Sequence, residues 1–270
     1  WEARTNSIRN NTMVGAVAGV AKTIGTIATL SRTASTTVVV ASTGHTVVVG
    51  DTITVSGANV AAYNGTFAVS AIVANVSYSY VCASSATDSA TGYTVSVLGQ
   101  GTLPTNWTQG NNTGVVASVV GTGTESGITY IDFRFVGITA SGTNTNIFLD
   151  TLAATSASPS QVWNLAFYVR LVSGAMTNIS SLQCGIIDTI AASQGTVTTP
   201  TSAGLSTQRF TFSRTLNAGA VTGVQSFLQL VTAAAPVAID ITLRIGLPQL
   251  ELGAFATPVI STSAAAATRA

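Results

Sequence analysis

The chain has 270 residues and a formal net charge of +1, and only 7% of its residues are charged, against about 25% in an ordinary soluble domain. That balance gives no electrostatic handle for nucleic acid or an acidic membrane, and no apolar run is long enough for a membrane-spanning helix despite a mean hydropathy of +0.48. The surface must therefore be Ser, Thr, Gly, Asn and Ala, which suits a protein locked into a larger assembly, since net charge helps keep free proteins apart.

In chain order, residues 1–11 are polar and extended, and the Thr/Ala/Ile-rich stretch Lys22–Thr36 precedes clear β signals. Thr37–Ala41, Thr46–Gly57, Phe67–Val73, Val76–Cys82 and Tyr93–Leu98 read as strands. Asn64-Gly65 reads as a tight turn. Further on, Gly114–Gly123 is a valine-rich strand. Ile128–Val136 alternates, with Ile131, Phe133 and Phe135 inward. Asn146–Asp150 is short. Gln161–Leu171 places Trp163, Leu165, Phe167, Val169 and Leu171 on one face. Leu182–Ile190, Gln208–Arg214 (Phe210 and Phe212 inward) and Gln225–Val231 follow. Val237–Ile245 alternates over nine residues, and Gly246 and Pro248 are expected to break it. Many short strands between Gly/Ser/Thr/Asn turns, with no convincing helix, predict an all-β fold, a two-sheet sandwich of jelly-roll type.

The polar faces of the three clearest strands carry Tyr130, Asp132 and Arg134, then Asn164, Tyr168 and Arg170, then Asp240 and Arg244. If those strands share a sheet, these eight residues form one patch. Planar side chains that stack on a pyranose, with carboxylates and guanidiniums that bridge hydroxyls, are what a sugar site uses. Cross-strand ion pairing on a solvated or subunit-facing sheet accounts for the same residues, because alternation puts such a face on any sandwich.

Other chemistry is thin. The single histidine, His45, sits in a turn with no partner for a metal or a triad. Cys82 and Cys184 lack metal-ligand spacing and read as small buried hydrophobes, a mutual disulfide being left open. No nucleophile elbow, phosphate-binding glycine loop or zinc motif is present, and the acids form no recognisable glycosidase pair. No catalytic residue, metal or cofactor is expected.

Two sets of motifs carry a resemblance. Pro248, Gln249, Leu250, Glu251, Gly253, Ala254, Phe255, Ala256, Thr257 and Arg269 at the end, and Glu2, Ala3, Arg4, Thr5 and Asn6 at the start, resemble the two ends of a jelly-roll module similar to carbohydrate-binding modules. That module is common in phage tail and head-fibre proteins. In such relatives GAVAG (Gly15–Gly19) leads within a few residues into GTLPTNW, which here comes only at Gly101–Trp107. The resemblance thus implies a discontinuous module, 1–19 plus 99–270, interrupted by a small β-barrel or sandwich at 20–98. The insert is itself similar to the FCCH-type β domains of phage structural proteins. It also implies that Trp107 opens the second strand, and suggests that Glu251 pairs with Arg4 or Arg9. The expectation is a non-enzymatic virion protein, a head or tail fibre or decoration protein, working in assembly or host-surface adhesion. Its expected partners are other virion proteins and copies of itself, a trimer being one arrangement. A receptor module for a host glycan is the alternative, and a polysaccharide depolymerase the weaker one.

Overall fold

The computed structural model describes residues 3–110, 114–139, 144–152, 154–190, 193–233 and 237–269. After β1 (Arg4–Asn6) come β2 (Thr26–Thr43), β3 (Thr52–Ser56), β4 (Gly65–Val73), β5 (Ser77–Ser89) and β6 (Thr94–Leu98). Then follow β7 (Thr108–Gly110), β8 (Val115–Glu125), β9 (Ile128–Ile138), β10 (Asn144–Phe148), β11 (Thr155–Ser156) and β12 (Val162–Gly174). The chain ends with β13 (Ile179–Asp188), β14 (Ser193–Thr198), β15 (Arg209–Thr215), β16 (Gly223–Thr232), β17 (Ala238–Leu252) and β18 (Ala267–Arg269). Helix among the described residues is limited to three single turns of 3-10 type.

Two antiparallel sheets form the sandwich. A front sheet has the order β15-β12-β17-β9-β8, and a back sheet the order β14-β13-β16-β10-β7, with β11 also pairing β16. The chain passes repeatedly from one sheet to the other, as a jelly roll does. Period-two alternation decides which side chains meet between them. Ile131, Phe133, Phe135, Leu165, Phe167, Val169, Ile241, Leu243 and Ile245 point in from the front sheet, each no more than 1% exposed. Ile147, Leu182, Cys184, Ile186 and Val224 meet them from the back, all at 0%. Each such side chain contributes about 1.5–3 kcal/mol when fully buried.

The third sheet, β2-β5-β4-β3-β6, packs around a separate core that includes Leu30, Val38, Val40, Ile53, Tyr63, Tyr78, Tyr80 and Val97. The two chain segments that join it to the sandwich run side by side. Val17 bridges Thr102 and Ala21 bridges Leu98, both antiparallel. On the sandwich side, β4 and β5 lie against the outer surface of β9. This is where Val136, an outward position by alternation, is 1% exposed.

Three local expectations need correction. Gly246 and Pro248 do not end the strand, since β17 continues to Leu252. The register against β12 slips between Ala166 and Tyr168, opposite Leu247 at φ 41, so the Gly-Leu-Pro run forms a bulge. A bulge is where a sheet tolerates a proline. Asn64-Gly65 is not a two-residue hairpin. Asn64 is extended (φ −74, ψ 135), and its side chain both donates to and accepts from the Ala58 main chain at 2.8 Å, closing a longer loop. Lastly, most of Lys22–Thr36 belongs to the long strand β2, which is kinked at Ala34 (φ 46) beside a register shift.

The chain ends close the sandwich together. β1 pairs with β18, Arg4 opposite Arg269. Asn6, buried, donates to the Pro248 and Ile260 carbonyls and accepts from the Ile8 and Leu250 N–H groups. Asn11 donates to the Ile260 carbonyl and accepts from Thr262 N–H. Trp107 sits in the turn before β7, 5% exposed, and its indole N–H donates to the Asn10 carbonyl at 2.8 Å.

Candidate functional site: the outer face of the front sheet

The three strands that carry the polar faces are neighbours, in the order β12-β17-β9. Register puts Arg170 beside Arg244 and Arg244 beside Asp132, and brings Tyr168, Gly246 and Tyr130 into the next row. The sheet therefore gathers seven of the eight expected residues onto one outer face. Asn164 stands apart. It lies toward the other end of β12, 3% exposed, and donates to the Ser213 hydroxyl at 2.7 Å.

The charges on this face are spent on one another. Arg244 holds Asp132 through two bonds of 2.8 Å and reaches Glu125 at 2.6 Å. Arg170 meets the same Glu125 oxygen at 3.1 Å. Arg134 holds Asp240 through bonds of 2.7 and 2.6 Å. Such two-bond carboxylate–guanidinium pairs use the donor fork that a ligand hydroxyl would need. The two tyrosines are engaged as well. The Arg244 guanidinium lies 3.6 Å from the Tyr130 ring centre, and that of Arg209 lies 5.7 Å from the Tyr168 ring centre. Both rings also pack against a small outer cluster of Ile128, Leu205 and Leu247. The sequence reading missed Glu125 as a member of this face. It stands at the end of β8, where its other oxygen accepts the Leu205 main-chain N–H at 2.7 Å.

That N–H, followed by Arg244 and Arg170, holds the Glu125 carboxyl below the usual carboxylate range. Its folded pKa is depressed, so its contribution to stability is present above the unfolded value of about 4.3. It is lost as pH falls through the folded value. Unfolding midpoints measured from neutral pH down into acid should fall for the wild type, and Glu125→Gln should flatten part of that fall. Parallel curves would mean that the network does not hold the charge.

Elsewhere, every acidic residue within the described segments has its partners. Asp88, Asp150 and Asp188 pair with Arg32, Arg9 and Arg214. Asp51 accepts the Val48 and Gln100 N–H groups. Glu251 is fully buried and accepts from Gln249 at 2.6 Å and from the Thr257 hydroxyl at 2.7 Å. Arg9 is therefore not the partner of Glu251, because it is bound to Asp150. Arg4 donates to the Leu252 carbonyl and lies over the Phe255 ring. His45 is buried against Tyr78 rather than displayed in a turn. Cys82 and Cys184 are both free thiols, in separate cores. Burial pushes the Cys184 thiol up to about 12. No group of three or more His, Cys, Asp or Glu that could hold a metal occurs among the described residues.

A second concavity lies between the third sheet and the sandwich. It is a cleft of about 430 Å³ lined by Val49, Phe67, Val69, Val115, Val116 and Ile138, among others. Its walls are mostly aliphatic and lack the convergent polar groups of a sugar site.

No family model matches the chain, and no curated protein matches it. Among solved structures, an exo-beta-agarase aligns over 58% of this chain with a TM-score of 0.38 and 11% identity. The aligned part is 24% of the agarase chain, so this chain spans about a quarter of that protein's length. The CBM22-1 xylan-binding domain from Paenibacillus barcinonensis Xyn10C aligns over 56% of this chain and 88% of its own, with a TM-score of 0.35 and 14% identity.

Proposed function

We propose that this chain is a structural module of a phage virion, part of a head or tail fibre or a decoration protein, acting in assembly or host-surface adhesion without catalysis. The observation that carries this reading is the disposal of charge. Each described acid is paired with an arginine or buried against hydrogen-bond donors. What remains outside is a skin of mostly small polar and apolar residues with few charges, Lys22, Arg209 and Arg269 among them. Such a skin lacks the net charge that keeps monomers apart and favours packing against copies or neighbours. The phage assignment rests on the end motifs. Asn6, Gln249, Glu251 and Thr257, which carry that resemblance, are among the residues that fasten the two chain ends.

The same geometry weighs against the alternatives. A glycan platform needs open aromatic faces and unspent forks, whereas Tyr130 and Tyr168 carry guanidiniums and the forks of Arg134 and Arg244 are filled. A depolymerase needs a carboxyl raised to act as general acid, whereas Glu125 is lowered. The test is a glycan array probed with the wild type and with a Tyr168→Ala, Arg170→Ala variant. We expect neither to bind above background. A glycan bound by the wild type and lost in the variant would establish the receptor reading instead.

A further inference from the structure

The hydrogen bonds at the end of β17 assemble more than a buried polar cluster. Gln249 and Glu251 are both 0% exposed, and they share a face two residues apart. The chain after β17 turns back over them. The Thr257 hydroxyl donates to Glu251 Oε1 at 2.7 Å and lies 3.3 Å from Gln249 Nε2. Gln249 Nε2 donates to the other Glu251 oxygen at 2.6 Å, and Gln249 Oε1 accepts the Ile260 main-chain N–H at 2.7 Å. This network fixes the orientation of the carboxamide, with its oxygen toward the N–H and its nitrogen toward the carboxylate.

These are the parts of an acyl transfer. A hydroxyl nucleophile is bonded to a carboxylate base. The acyl oxygen is held by a main-chain N–H, as in an oxyanion hole. The base also touches the leaving nitrogen, and two of the three side chains are sealed from water. We propose that Thr257 and Gln249 form an intramolecular ester cross-link, with Glu251 as general base and then general acid. The Thr257 proton passes to Glu251 as Oγ1 attacks Gln249 Cδ, and the carbonyl electron pair moves onto Oε1. When the tetrahedral carbon collapses, Glu251 gives that proton to Nε2, the Cδ–Nε2 bond breaks and ammonia leaves. One C–N bond is exchanged for one C–O bond, and no oxidant or co-reactant is required. Gln249 Nε2 now donates to Thr257 Oγ1 at 3.3 Å, so the step requires Oγ1 to turn from the nitrogen toward Cδ, to an attacking distance of about 3–3.5 Å.

The cross-link would pin to β17 the segment whose Ile260 and Thr262 are gripped by Asn6 and Asn11. It would thus make the closure of the sandwich covalent, which suits a part exposed to pulling and to proteases.

Intact-mass measurement of the purified folded chain tests this, with peptide mapping beside it. The expected wild-type mass is one ammonia below that of the sequence, with a branched peptide joining Gln249 and Thr257 that hydroxylamine cleaves. Thr257→Val and Glu251→Gln should stay at full mass, and Thr257→Ser should regain the loss. A wild type at full mass after prolonged incubation overturns the proposal. So does an ammonia loss that persists in Thr257→Val or maps to a succinimide at Asn64. If Thr257→Val fails to fold, the map of the wild type still decides.

Discussion

Replacing Arg214 by alanine should destabilise the protein by about 3–5 kcal/mol, because it strands a buried carboxylate. Arg214 projects inward from β15 at 2% exposure and meets Asp188 of β13, at 0%, with an N–O distance of 2.6 Å. The same guanidinium donates to the Ile186 carbonyl at 2.7 Å, and Asn217 donates to Asp188 at 2.7 Å. The pair therefore ties front sheet to back sheet through the interior. Truncating the arginine leaves the Asp188 charge without its counter-ion where water cannot replace it. An apolar double replacement, Arg214→Met with Asp188→Leu, should recover much of the loss, since a buried pair is worth little more than good packing. Urea unfolding of the three variants checks both statements through the midpoint at constant slope. A cost below about 1 kcal/mol for the single variant would mean that the carboxylate is hydrated in the folded state.

The second large effect is expected at the chain ends. Asn6→Ala removes a side chain that satisfies two carbonyls, Pro248 at 3.4 Å and Ile260 at 3.0 Å, and two N–H groups, Ile8 and Leu250, both at 3.1 Å. Each buried group left unpaired costs roughly 1–3 kcal/mol, so the sum should reach about 3 kcal/mol even after partial relaxation. Asn6→Asp should be no better at neutral pH, because a carboxylate cannot donate to the two carbonyls, and it should improve in acid as the carboxyl gains a proton. Hydrogen exchange at Ile8 and Leu250 gives a local readout. Slow exchange in Asn6→Ala would show that the closure does not depend on this residue.

The strands that carry the face were legible because each is buried on one side only. Ile131, Phe133 and Phe135 in β9, and Leu165, Phe167 and Val169 in β12, alternate with polar residues, and period two is a local property of the sequence. The run through Gly246 and Pro248 was misread for a physical reason. Both residues look like breakers in isolation, and only the opposing strand β12 reveals that they form a bulge. Arg214 was legible in part, since it shares parity with Phe210 and Phe212 and so had to point inward. Its partner, Asp188, is on another sheet and could not be read from spacing. The polar face itself was gathered correctly except for Asn164, but whether its groups bind a ligand or each other depended on register. Arg244 stands directly opposite Asp132, and Arg134 lies one diagonal from Asp240. Glu125 joins them from β8, across a hairpin from β9. The fastening of Asn6 to Pro248 and Ile260 spans almost the whole chain, and no local pattern announces such a contact.

The most direct test of an assembly role is the native mass of the purified chain, read by light scattering at micromolar concentration and at two ionic strengths. A surface with few charges, its acids paired within the chain, predicts a homo-oligomer whose mass is insensitive to salt, because its contacts are not chiefly ionic. A monomer at every concentration and salt condition would contradict the account.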